Sequence, residues 1–388
     1  AKEAQDRKDA ALRQAVTGAK PIANDAGLAV QRMRALAEKR RFHKLKAAQE
    51  RALALARDWD EHIREAEQGS QELDAVSRQL QVKQLLHQNA DPNAPDRFGY
   101  TALIYAAYEG HQGVIEPLLS AGAQLEARNE FGHTALIHSA TRGHLNVVEA
   151  LLKAGAQMEA RSEFGSTALM EAANHGHLQV VEALLKAGAQ LEARNGHGNT
   201  ALIQAARYGH LQVVEALLKA GAQLEARNGH GDTALIQAAR YGHLQVVEAL
   251  LKAGAQHDFA NTQGSTALIT AAWNGHLNVA QALLKAGAEL DAADPLGQTA
   301  LMSASRKGNL SMVEALLKAS AQLEARGVDG FTALKWAEVT GHLNVVEALQ
   351  RAGAQSEASD EDKTTAQNQA QQQGPPADGS DGQHPGPL

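Results

Sequence analysis

The tripeptide Thr-Ala-Leu begins at Thr101, Thr134, Thr167, Thr200, Thr233, Thr266, Thr299 and Thr332, and every interval is 33 residues. A chain that repeats itself at this period builds an array of like units rather than one globule. Around each anchor the same frame returns. A glycine stands two residues before it, another nine after it, and Gly-His or a near variant leads into an apolar run. Residues 200–223 and 233–256 are identical letter for letter, as a recent internal duplication would leave them.

One unit reads as two short helices and a turn. Thr233 is placed to cap the first helix, its hydroxyl accepting a first-turn N–H. Gly242 and Gly254 stand where each helix ends in a left-handed residue. Val246, Val247, Leu250 and Leu251 form an apolar stripe on the second helix, while Ala238 and Ala239 keep the first helix thin. A single unit cannot bury that stripe. Only stacking turns it into a core.

The period, Gly-x-Thr-x-Leu, Gly-His-Leu and Leu-Leu-x-x-Gly-Ala together resemble the ankyrin repeat across residues 96–359. The resemblance implies an all-α ankyrin-repeat solenoid of stacked helix-turn-helix units. It also implies a concave groove, lined by turn tips and first helices, that holds a partner. Two departures are consistent. The family's Thr-Pro-Leu-His reads Thr-Ala-Leu-Ile, and its Ala-Asp-Val-Asn reads Ala-Gln-Leu-Glu, as at Ala222–Glu225. Both touch hydrogen bonds between adjacent turns.

The domain reading follows the repeats. Residues 1–69 are a charged helical extension, with Leu55, Trp59 and Ile63 on one face and nine Lys/Arg against two Glu between Arg32 and Arg57. That basic stretch, residues 32–57, suits a solvated helix, an acidic partner, or nuclear import through Lys39-Arg40-Arg41. Residues 70–95 read as a degenerate capping repeat, since they lack the Thr-Ala-Leu anchor. Eight full repeats fill 96–355, the first carrying Gly113 and Pro117 inside its second helix. Residues 356–388, acidic and rich in Gln, Gly and Pro, read as a disordered tail.

Because the frame is fixed, the variable groove positions can be read as a row. The tips carry Arg97, Phe98, Tyr100, Glu130, Phe131, His133, Glu163, Phe164, His197, His230 and, in the last repeat, Phe331. First helices carry Tyr105, Tyr108, His138, Arg207, Tyr208, Arg240, Tyr241 and Trp273, and further along Arg306, Lys307 and Trp336. Of fourteen aromatic residues, twelve lie in the repeats, and all of these except Phe259 fall on this row. Rings left outside an Ala-rich packing surface are the stuff of interface hot spots. Density is highest in the first three repeats, where Phe98, Tyr105 and Phe131 are expected to be removable without harm to folding.

Several function classes recede. Cysteine is absent, which excludes disulfides and thiolate chemistry, and a net charge of −7 argues against a nucleic-acid or membrane surface. No apolar run approaches the ~20 residues of a membrane span. Seven of the seventeen histidines recur in the frame, where a helix-start hydrogen bond accounts for them. His197 and His230 sit at equivalent tips roughly 10 Å apart, too far for one metal ion. No cofactor or metal is called for, and no catalytic set stands apart from the repeat. The chain therefore reads as a non-enzymatic, intracellular and cytoplasmic scaffold or adaptor that binds another protein. Alternatives are a nucleotide or single-stranded nucleic-acid sensor, stacking bases on Tyr208 and Tyr241, or a structural subunit anchored through its N-terminal helix.

Overall fold

A computed structural model describes residues 71–355, and all the regular structure within them is α-helix. The expected extension helix, its basic stretch and the tail 356–388 lie outside the described residues. The described residues form two compact units, divided between Glu163 and Phe164.

In the first unit α1 (Gln71–His87) is followed by two helix pairs, α2 (Ala102–Glu109) with α3 (Gln112–Ser120) and α4 (Ala135–Arg142) with α5 (Leu145–Lys153). First helix packs on first helix and second on second, while α1 lies against α3. Helix α3 runs unbroken through Pro117. In the second unit the same pairing recurs six times. The pairs are α6 (Ala168–His175) and α7 (Leu178–Lys186), α8 (Ala201–Tyr208) and α9 (Leu211–Lys219), and α10 (Ala234–Tyr241) and α11 (Leu244–Lys252). They continue with α12 (Ala267–Asn274) and α13 (Leu277–Lys285), α14 (Ala300–Lys307) and α15 (Leu310–Lys318), and α16 (Ala333–Thr340) and α17 (Leu343–Arg351).

Each first helix starts where its threonine places it. Thr233 is extended at φ −83° and ψ 171°, and its Oγ1 accepts the Ile236 N–H at 3.3 Å. Val246, Val247 and Leu250 are fully buried, as are Ala238 and Ala239, whereas Leu251 is half-buried. Burial of each Val or Leu contributes about 1.5–3 kcal/mol, realised only because the adjacent repeat covers the stripe.

Three polar seams join neighbouring repeats within each unit. At the turn tips the Glu130 N–H donates to the Phe98 carbonyl at 2.8 Å, and Gly229 to His197 at 2.8 Å. Pro295 occupies this place in the seventh repeat and has no N–H to donate. The second seam uses the frame histidine. Expected to cap its own helix, it makes no such bond; instead His243 Nε2 reaches the Arg207 carbonyl at 2.9 Å, and His144 reaches Tyr108 at 3.0 Å. A carbonyl can only accept, so Nε2 carries the proton. The ring lies over the glycine ending the preceding first helix. A Cβ on Gly209, besides needing φ 76°, would come within 2.6 Å of His243 Nδ1.

The third seam answers the departure at Ala-Gln-Leu-Glu. Asn93 Oδ1 accepts the Gln124 N–H at 2.6 Å, and later repeats replace that asparagine with acids. Glu192 takes the Gln223 N–H at 2.8 Å, Glu225 that of Gln256 at 2.8 Å, and Asp258 that of Glu289 at 2.8 Å. A charged acceptor strengthens such a bond. The departure keeps the link.

The turn after each second helix closes in one way: in the fifth repeat the Gly254 N–H donates to Leu251 and the Ala255 N–H to Leu250, both at 3.0 Å. Ser320 repeats these bonds with φ 72°, and Asn89 takes the same place after α1 with φ 62°. Asparagine tolerates that region and serine resists it. Ser320→Gly is therefore expected to stabilise the protein by about 1 kcal/mol. Gly221→Ser should cost about as much, since a Cβ there meets nothing within 4 Å and only the backbone conformation is penalised. Urea unfolding of both variants checks the two signs.

Candidate partner-binding surface

Where Asn or Asp opens the turn, that side chain holds the tip; the last repeat has Gly327 there and uses Asp329 for the Phe331 N–H. Asn129 Oδ1 accepts the N–H groups of Phe131 and His133 at 3.0 and 2.9 Å, and Asp96 does the same for Phe98 and Tyr100. Such turns fix where the tip side chains leave the backbone.

In the first unit the row is a packed cluster. Tyr100 stacks on Tyr105 with centroids 4.9 Å apart, and the Tyr105 hydroxyl donates to Asp96 Oδ2 at 2.8 Å. Burial and then that carboxylate push the Tyr105 phenol far above its ordinary value, and burial raises Tyr100 as well. Tyr108 meets His138 edge-on at 5.5 Å, and Arg142 covers its face at 4.8 Å. Arg97 lies over Phe98 at 4.6 Å. Phe98 and Phe131 are half-buried, while Arg97, Glu130 and Glu163 are exposed around them.

His138 corrects the sequence reading. Expected on the groove surface, it is only 5% exposed. Its Nε2 lies 2.9 Å from Asn129 Nδ2, whose orientation is settled because Oδ1 already serves the backbone. The amide donates, so the ring is neutral with its proton on Nδ1. Burial, with a smaller push from His133, holds the imidazole down at about 3. His138 is thus withdrawn from the partner-facing set, and Tyr105 is tied to the turn rather than freely removable.

The second unit carries the more open rings. Phe164 is 63% exposed, Tyr208 48%, Tyr241 44% and Trp273 38%. His197 and His230 are exposed at their tips. Arg207 lies 5.5 Å from both the Tyr208 and Tyr241 centroids. Arg306 lies 5.3 Å from Trp273 and 4.3 Å from Trp336, and Lys307 covers Trp273 at 4.1 Å. Arg240 differs from these. It is held at 3.0 Å by Asp232, an acid only 2% exposed that also bonds Gln237 and Asn261. Sequence reasoning missed this ion pair. The signal was there: Asn199 precedes one duplicated stretch and Asp232 precedes the other.

Among the described residues no group of His, Asp and Glu could hold a metal ion, and no helix is long and apolar enough to cross a membrane. A family model described as ankyrin repeats (3 copies) matches residues 74–162, 155–228, 224–294 and 286–360. These spans cover well over half of the sequence, and the chain belongs to the ankyrin-repeat family. Comparison with curated proteins yields no match. Ankyrin repeats are generally protein–protein interaction modules.

Two outcomes follow for the first unit. Tyr105→Phe loses the bond to Asp96 and should lower stability by about 1 kcal/mol in urea unfolding. His138 stays neutral in the fold, whereas in the unfolded chain it binds a proton below its ordinary 6.5. The unfolded state is then favoured as pH falls from 6.5 towards about 3, by at most about 1.4 kcal/mol per pH unit. Thermal unfolding of the wild type and His138→Gln between those limits should show a flatter pH dependence for the variant.

Proposed function

We propose that the protein is a scaffold or adaptor that holds a partner protein against the groove face of its repeats, the face lined by turn tips and first helices. The observation that carries this reading is the set of open rings on the second unit. Tyr208, Tyr241 and Trp273 stand on first helices whose inward alanines are already fully buried, so folding has no need of their size. Large aromatics flanked by arginine are the residue types that anchor interfaces. The basic stretch 32–57 remains a second candidate contact, for an acidic partner.

A nucleotide or single-stranded nucleic-acid reading would require Arg207 and Arg240 to meet phosphates beside the tyrosines. Asp232 engages Arg240, and the guanidinium of Arg207 already covers a face of both rings. These contacts favour a protein partner. The family's folds are typically non-enzymatic, which agrees with a binding role.

The test is Tyr208→Ala, Tyr241→Ala and Trp273→Ala combined in the full chain. Capture of partner protein from native extract should be lost, each true anchor contributing about 2 kcal/mol or more, with the thermal midpoint little changed. Retained capture would move the site to the Phe98–Tyr100–Phe131 cluster of the first unit.

A further inference from the structure

The first helices of the second unit share one frame, so equivalent positions can be compared across repeats. At the next-to-last position they carry Asn174, Arg207, Arg240, Trp273, Arg306 and Val339. The three arginines are not alike. Arg240 is neutralised by the buried Asp232, while Arg207 and Arg306 have neither an ion pair nor a side-chain hydrogen bond among the described residues. Each of these two lies over rings of two repeats, Tyr208 with Tyr241 and Trp273 with Trp336. Lys307, exposed beside Arg306, adds a second unpaired cation there.

Stacking on rings fixes the direction of a guanidinium and leaves its N–H edge without an acceptor. A planar donor edge of that kind matches a carboxylate in a bidentate pair. The row thus presents two fixed cationic points, and the cation between them is cancelled from within.

We propose, resting on the groove reading above, that the second unit's partner is an extended acidic protein segment whose carboxylates meet Arg207 at one point and Arg306 with Lys307 at the other. Arg207 and Arg306 are 99 residues apart in the chain, three periods of the repeat. With about 8–10 Å between packed helices, the two points are roughly 27 Å apart. An extended segment advances about 3.3 Å per residue, so its acidic residues would stand roughly eight positions apart. Between them the segment passes Tyr241 and Asn274, both exposed, where neutral and apolar side chains suit. A nucleic-acid strand, with charge at every nucleotide, asks for a continuous basic track, and the cancellation of Arg240 breaks it.

The experiment selects a displayed library of random segments of about twelve residues, long enough to span both points, on the full-length protein. Recovered segments should share two Asp or Glu about eight positions apart. The best of them, synthesised with a fluorescent label, should lose affinity about tenfold on Arg207→Gln and about tenfold on Arg306→Gln. Lys219→Gln, an equal charge change on a second helix, should leave it unchanged, and thermal midpoints should not move. Recovered segments with no acidic preference, or binding by both arginine variants as tight as by the wild type, would overturn the inference and leave the groove reading standing. Failure to recover any segment that depends on Tyr208, Tyr241 and Trp273 would remove both. Displacement of the labelled peptide by single-stranded DNA at equal concentration would give the site to nucleic acid. Binding confined to a synthetic copy of residues 356–388 would make the chain's own acidic tail the occupant. Either result would overturn the proposal.

Discussion

Everything in this protein depends on one repeat covering the apolar stripe of the next. A nine-residue helix such as Leu244–Lys252 is too short to stand alone in water, and Val246, Val247 and Leu250 would lie open on it. The neighbour closes that stripe, and the alanines of the first helices let it come near enough to do so. Close approach would strand backbone polar groups unless each met a partner. The three seams supply them: tip amide to tip carbonyl, frame histidine to the last turn of the preceding first helix, and the side-chain oxygen of Asn, Glu or Asp accepting from the amide 31 residues on. Individually such bonds contribute about 1 kcal/mol. Repetition makes them the skeleton of each unit.

That division of labour explains why the partner-facing positions can vary. The frame residues are fully occupied by their neighbours, so the next-to-last position of a first helix carries Asn, Arg, Trp or Val without changing the stack. The freedom has limits. In the first unit the aromatic residues turn back on one another, and His138 and Tyr105 are drawn into the polar network of the turn. In the second unit they stay open, and single substitutions change their electrostatics. Replacing the Asn199 type with Asp232 suffices to disarm Arg240 while its counterpart Arg207 remains available.

The helices were legible because their signals are local. Thr233 caps, Gly242 ends a helix, and Val246 with Leu250 sets the buried face, each within a few residues of the bond it makes. Ser320 could even be assigned its left-handed backbone from its place among glycines, and φ 72° agrees. What could not be read were bonds reaching into the next repeat. The frame histidine looked like a helix cap because its nearest neighbours are a glycine and a helix start; its acceptor lies 36 residues earlier. The glutamate replacing a family asparagine touches a bond between adjacent turns, and sequence alone does not show that the longer side chain still arrives at the same amide. His138 was misplaced for a like reason. Its burial comes in large part from Tyr100 and Tyr108, which belong to the preceding repeat.

The claim that stability resides in contacts between neighbours is tested most directly by removing one period, residues 200–232, which joins Asn199 to Thr233 in frame. Urea unfolding of the full-length and shortened chains, followed by circular dichroism, compares their slopes and midpoints. If each repeat depends only on its neighbours, the shortened chain still folds, its midpoint drops only slightly, and its slope falls by roughly one part in eight, the share of surface one repeat buries. A shortened chain that fails to fold, or that keeps the full slope, would contradict the account.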